Sequence, residues 1–162
     1  MGLHVDFSRL DAQDVLDLAI QVEQEAEDNY EQLSSWMAGD GNTAAAQFFK
    51  KMAGFEAKHR EQLGQRRELL FGDAPPRHSD RAAWEVEQPD YASIGRAVTL
   101  EQAFELAMEA ERRAGDYYAE AIDYASDPAV IELFRGLKRA EDEHLRLLEE
   151  QRARLAGEAS NG

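Results

Sequence analysis

Apolar residues recur at spacings of three and four along four long stretches of the chain, the period of a helix with one buried face. The first stretch runs from about Asp11 to Met37 and breaks at Ala38-Gly39-Asp40-Gly41-Asn42. The second runs from about Thr43 to Leu70 and stops at Phe71-Gly72, glycine being favoured just past a helix end. The third opens at Thr99-Leu100-Glu101-Gln102, a capping box, and ends near Ala125. Ser126-Asp127-Pro128 then supplies a cap and an N1 proline for the fourth, which fades at Leu155-Ala156-Gly157. A connection over about 73–98, punctuated by Pro75-Pro76 and Pro89, separates the second and third stretches, and Trp84 and Tyr91 are its expected anchors. Two short turns and one long connection predict an all-α fold: a four-helix bundle of two antiparallel hairpins joined by a long crossover. One domain over 1–157 is expected, with 158–162 a disordered tail.

The buried seam of each helix is apolar except at its middle. The first reads Leu16, Ala19, Glu23, Ala26, Tyr30, Leu33, Met37, and the second Ala45, Phe48 or Phe49, Met52, Glu56, His59, Leu63. The third reads Leu100, Phe104, Ala107, Glu111, Ala114, Tyr118, Ile122, and the fourth Val130, Phe134, Leu137, Glu141, His144, Leu148, Leu155. Glu23 lies 17 residues before Asp40 and Glu56 16 after it; Glu111 lies 16 before Asp127 and Glu141 14 after. At about 1.5 Å per residue each hairpin sets its two glutamates within roughly a turn of one level. The halves also repeat each other: Glu23 to Tyr30 parallels Glu111 to Tyr118, and Glu56-Ala57-Lys58-His59 parallels Glu141-Asp142-Glu143-His144, in the same order.

Four unpaired carboxylates in a core are severely destabilising and answer by taking up protons. Lysine and arginine are missing from the seam positions beside them, so no internal ion pair neutralises the layer. Two divalent cations do, and oxygen-rich ligation with one nitrogen per metal suits iron or manganese better than a structural zinc. In Glu-x-x-His the two side chains share one helix face, about 4.5 Å apart along the axis. A single such motif on an acidic helix is usually a solvated surface pair; two, each on a seam and level with a seam glutamate, point to a site. Glu25, Glu27, Glu109 and Glu143 fall off the seams and read as solvated charges, Glu109 being the rival of Glu111 if the register slips. His4 and His78 read as ordinary surface histidines. Tyr30 and Tyr118 lie seven residues after Glu23 and Glu111, about 10 Å along the seam, within reach of carboxylates on a facing helix rather than their own. They are equally well core aromatics with a satisfied hydroxyl.

Composition narrows the chemistry. The 162 residues include 33 acidic and 18 basic side chains, for a formal charge of −15, which argues against nucleic acid and favours cations. The absence of cysteine removes disulfides, thiolate zinc sites and iron–sulfur clusters, leaving carboxylate, imidazole and water to hold a metal. No apolar run approaches the roughly 18–20 residues of a membrane span, and the first residues lack a signal-peptide pattern, so a soluble cytoplasmic protein is expected.

On Glu23…Tyr30, Glu56–His59, Glu111…Tyr118 and Glu141–His144, over about residues 11–155, the chain resembles the rubrerythrin branch of the ferritin-like superfamily, especially erythrin-type proteins without a rubredoxin domain. The resemblance implies a ferritin-like bundle with two iron ions, manganese or zinc being substitutes, that reacts with hydrogen peroxide or dioxygen. Carried over by motif, Glu23 and Glu111 are the terminal ligands, Glu56 and Glu141 the bridges, and His59 and His144 one nitrogen ligand each. Rubrerythrins commonly carry an extra glutamate three residues after the third-helix ligand, which exchanges with histidine in the redox cycle; here that position is Ala114. The cysteine-bound rubredoxin iron is also missing, so electrons come from an external donor or from Fe²⁺ itself. A homodimer, formed partly through the crossover, is the expected assembly. Three function classes follow: a di-iron oxidoreductase, ferritin-like iron oxidation for storage or delivery, and the soluble ferritin-like module of a larger iron-handling assembly.

Overall fold

The computed structural model describes residues 4–76, 84–85 and 98–160. Four helices dominate it: α1 (Ala12–Gly39), α2 (Thr43–Phe71), α3 (Leu100–Tyr124) and α4 (Pro128–Ser160). α1 packs along α2 and α3 along α4, while α1 also meets α3 and α2 meets α4, so two antiparallel hairpins close one bundle as expected. A single 3-10 turn, Phe7–Arg9, precedes α1. The all-α fold carries one small addition, an antiparallel backbone pairing of β1 (His4–Val5) with β2 (Trp84–Glu85). Among the described residues no helix is long and apolar enough to cross a membrane.

Local chemistry sets the helix ends. Asp11 and Asp14 form a capping box on α1, and Thr99 and Gln102 form the expected one on α3. Asp127 Oδ1 accepts from the Ala129 and Val130 amides at 2.8 and 3.2 Å, capping α4 behind its N1 proline. Gly41, at φ +78°, lets the chain reverse between α1 and α2, and Gly72, at φ +59°, ends α2; both angles lie where a side chain is strained. α4 continues through Gly157 to Ser160, three residues past the end that the apolar pattern predicts, so 158–160 are helical rather than tail. The seam stops at Leu155, but backbone hydrogen bonding carries the helix on, at a glycine cost of only about 1 kcal/mol.

The start of the crossover is held by polar side chains. Arg67 donates to Asp17 Oδ1 at 2.7 Å, to the Gly72 carbonyl at 3.1 Å and to the Ala74 carbonyl, tying α1, α2 and the connection together. Gln13 Nε2 adds a bond to the Pro75 carbonyl at 3.0 Å. Tyr91 and the Trp84 side chain, the expected anchors, lie outside the described residues, as do His78 and the His4 side chain.

The apolar core is split in two. One cluster gathers Leu16, Leu18, Leu63, Tyr117, Phe134 and their neighbours; the other gathers Leu33, Met37, Phe49, Met52, Phe104 and Leu148. The seam glutamates lie between them, which fixes the height of the polar layer on every helix. Phe49 is fully buried, whereas Leu69 is 76% exposed. Phe49→Ala should therefore cost about 3–5 kcal/mol in urea denaturation, and Leu69→Ala less than about 0.5 kcal/mol; equal losses would contradict the packing.

Candidate metal centre

α1, α2, α3 and α4 deliver Glu23, Glu56, Glu111 and Glu141 to one layer, with 0%, 0%, 2% and 1% of their surface exposed. One turn along α2 and α4, His59 and His144 turn their Nδ1 atoms toward the same layer. His59 Nδ1 lies 3.5 Å from Glu23 Oε2, 3.4 Å from Glu56 Oε2 and 3.9 Å from Glu141 Oε1. His144 Nδ1 lies 2.9 Å from Glu56 Oε1, 3.4 Å from Glu111 Oε1 and 3.6 Å from Glu141 Oε2. The two rings are 5.5 Å apart, centroid to centroid, and nearly parallel.

These contacts resolve into two ligand sets, Glu23–Glu56–His59–Glu141 and Glu56–Glu111–Glu141–His144, each with donor atoms within 4.8 Å of one another. Glu56 and Glu141 belong to both. Glu23 Oε2, both oxygens of Glu56 and of Glu141, and Nδ1 of both histidines are buried without a hydrogen-bond partner. Orphaned polar atoms on this scale are costly in a core, and they converge on two shared points. The donor set therefore fits a pair of divalent cations bridged by carboxylates.

The tyrosines act across the bundle. Tyr118 on α3 donates to Glu23 Oε1 on α1 at 2.5 Å, and Tyr30 on α1 donates to Glu111 Oε1 on α3. Each outer carboxylate thus has one oxygen held by the facing helix, an outer-sphere restraint of the kind that orients metal ligands. Burial first, then the adjacent Glu111 or Glu23 charge, raises both phenols well above their ordinary range, so they remain donors.

Charge within the layer redistributes by protonation. Burial, reinforced by the Glu111 charge, pushes Glu56 and Glu141 well above the usual carboxylate range. Burial opposes ionisation of Glu23 and Glu111 as well, but His59 and Glu56 beside the one, and Glu141 and His144 beside the other, carry both below it. Burial also disfavours imidazolium, yet the Glu23 and Glu56 carboxylates raise His59 to about 9, and Glu111 and Glu56 raise His144 to about 10. Protons thus stand in for cations when no metal is bound.

The remaining acidic candidates lie elsewhere. Glu109 is half-exposed beside Arg113, at 3.8 Å. Glu27 pairs with Arg60 at 2.8 Å, and Glu143 with Arg146 at 2.6 Å. Neither ligand set includes Glu25. Three features escape the periodicity. Tyr117, adjacent to Tyr118, is fully buried and donates to the Val15 carbonyl at 2.6 Å. Arg113 is buried, but two residues from Glu111 it sits about 200° round the helix from the layer. Phe55 stacks on His144 at 5.6 Å. The doubled Tyr117-Tyr118 and the phenylalanine one turn before His59 were the available signals.

A bundle whose four helices bring four carboxylates and two imidazoles to two shared-ligand sites belongs to the di-metal carboxylate class. Its family follows from comparison: a family model of rubrerythrins matches residues 14–151, and the chain belongs to the rubrerythrin family. No curated protein matches the chain significantly. Among solved structures, an uncharacterised conserved protein from Magnetospirillum magnetotacticum MS-1 is 25% identical with a TM-score of 0.75, the match covering 90% of this chain and 95% of that one. A proposed ferritin-like diiron-carboxylate protein from Thermotoga maritima is 22% identical with a TM-score of 0.67, over 89% and 95%. A hypothetical protein from Pyrococcus furiosus is 19% identical with a TM-score of 0.73, over 95% and 98%. The last two show likeness of fold.

Metal binding should release protons. With His59 and His144 raised to about 9 and about 10, both are charged at pH 7 and must lose their protons to ligate. Loading the metal-free protein with Zn²⁺ in weak buffer at pH 7 should release about two to four protons per chain, the upper figure including Glu56 and Glu141; release of none would contradict the cluster.

Stability of the metal-free protein should fall with rising pH. Histidines raised from 6.5 to about 9 and about 10 contribute stability that is complete below pH 6.5 and lost as pH climbs through those values. Glu56 and Glu141, also raised, act in the same direction above pH 4.5. Glu23 and Glu111, lowered, act oppositely and only as pH falls below 4.5. Thermal unfolding in chelator should thus show a melting temperature that drops between about pH 6.5 and 10, while the metal-loaded protein holds steadier. A metal-free protein with a flat profile across that window would mean the groups do not interact.

Proposed function

We propose that the protein is a non-haem di-iron oxidoreductase of rubrerythrin type that reduces hydrogen peroxide or dioxygen. The observation that carries this proposal is the sharing of Glu56 and Glu141 between two otherwise separate ligand sets. Glu56 and Glu141, common to both sets, would hold both ions, Glu23 and Glu111 would each hold one, and His59 and His144 would each give one ring nitrogen. Two ferrous ions, when bound, supply the two electrons that convert peroxide and two protons into two waters. The chain's own part is to place and desolvate. Tyr118 and Tyr30 pin one oxygen of Glu23 and of Glu111, leaving the rest of each carboxylate to the centre. The apolar clusters above and below the layer shield it along the bundle axis.

The re-reducing electrons come from a donor outside these 162 residues, which hold no cysteine to carry a rubredoxin-type iron. The chain acts as one domain, with α4 carried on to Ser160, and the working unit is a homodimer. Manganese and zinc compete for the same ligands. A second function, in which Fe²⁺ is itself the substrate and is oxidised for storage or delivery, is favoured by Ala114, which leaves α3 without the extra glutamate of the peroxidase cycle. Two irons per chain with turnover on peroxide support the first function; many irons per assembly support the second.

The test is stopped-flow oxidation after anaerobic Fe²⁺ loading, with peroxide and with air. Glu56→Ala removes a carboxylate common to both sets and should slow oxidation by more than about a hundredfold, beyond the cost of losing an outer-sphere partner. Glu109→Ala, half-exposed and outside both sets, should oxidise at the parental rate. A Glu56→Ala protein at parental rate, or a crippled Glu109→Ala, would overturn the assignment.

A further inference from the structure

The internal repeat is symmetric in its ligands and asymmetric in what covers them. The 85-residue offset that takes Glu56 to Glu141 and His59 to His144 also takes Phe55 to Ala140, Lys51 to Gly136 and Phe48 to Leu133. Each of these three α2 residues is replaced by a smaller one on α4. Phe55 lies flat against the His144 ring at 5.6 Å, and Lys51 Nζ stands 5.8 Å from the Phe55 ring centre, closing that side. On the other side a cleft of 490 Å³ runs between α2 and α4, with Leu133, Gly136 and Leu137 on one wall and His59 among the residues that line it. Exposed Gln62 and Glu132 line the same cleft, placing it at the surface. The imidazoles reflect the difference, the His59 side chain being 15% exposed and that of His144 6%.

We propose that this α2–α4 cleft is the entrance to the centre, through which metal ions and small oxidants reach it at the His59 end, and that Phe55 seals the His144 end. The proposal rests on the two-metal centre proposed above. Its consequence is kinetic: an ion held by Glu23, Glu56, His59 and Glu141 exchanges with solvent readily, and one held by Glu56, Glu111, Glu141 and His144 does so slowly. Gly136, on the cleft wall, keeps the route open, and Ala140, the counterpart of Phe55, lies one turn along the same face of α4. A Cβ added at Gly136 is accommodated, the nearest atom to it being Arg139 Nη2 at 3.9 Å.

Co²⁺ provides a readout independent of turnover. The full chain is loaded with Co²⁺, its visible absorption recorded, and the ions stripped with excess EDTA in a stopped-flow instrument. The parent should bind two ions and lose them in two phases. Gly136→Leu, on the cleft wall, and Ala140→Phe, which gives α4 the residue that α2 carries at Phe55, should each slow the fast phase at least about tenfold without changing stoichiometry, and Phe55→Ala should accelerate the slow phase. A parent that loses two ions in one phase, or α4 variants that keep two ions and the parental fast phase, would overturn the entrance alone. A parent binding fewer than two ions would overturn the two-metal centre and the entrance with it.

Discussion

Burying four glutamates in one layer of a helical bundle is the constraint on which the rest of this structure depends. An ionised carboxylate without a partner does not persist in an apolar interior, because the desolvation penalty exceeds what the surrounding side chains return. The layer must therefore be neutralised from within, and the protein has two ways of doing it. Protons accomplish it by keeping Glu56 and Glu141 uncharged and both histidines charged. Divalent cations held by the two ligand sets would accomplish it by replacing those protons. The same geometry supports both states, so folding and loading are linked through one set of groups.

That constraint accounts for features far from the layer. The apolar core has to be made in two pieces, one on each side, and each must be large enough to hold the bundle together. Every helix has to cross the layer at the same height, which the short α1–α2 and α3–α4 turns secure. Tyr30 and Tyr118 solve a local part of the problem by giving Glu111 and Glu23 one buried donor each from the helix opposite. Each bond also links α1 to α3, two packed helices that no short turn connects.

Duplication of the hairpin explains why the ligands come in matched halves, and the differences between the halves are where function has room to diverge. Ala114 stands on α3 where rubrerythrins commonly add a glutamate, and the α4 positions matching Phe48, Lys51 and Phe55 on α2 are Leu133, Gly136 and Ala140. None of these changes touches the six converging side chains. They alter which further group sits beside the layer and what covers it, the kind of outer-sphere difference that tunes a metal site.

Much of the fold and the layer was legible in the sequence because both rest on local rules. Helix ends followed from Thr99, Asn42, Gly72 and Pro128, whose backbone preferences act within a few residues. A glutamate on an otherwise apolar seam announced itself by breaking a 3.6-residue period, and counting from the turns placed all four at one height. What only the tertiary structure decided is what depends on how one helix is rotated against another. Periodicity assigns a residue to a face but not to the residue it meets, so the bonds of Tyr30 to Glu111 and Tyr118 to Glu23, the cover of Phe55 over His144 and the burial of Arg113 emerge only from packing. The hold of Arg67 on Asp17, Gly72 and Ala74 is of the same kind. Asp17 lies 50 residues from Arg67 in sequence, and no local preference couples them until the bundle has closed.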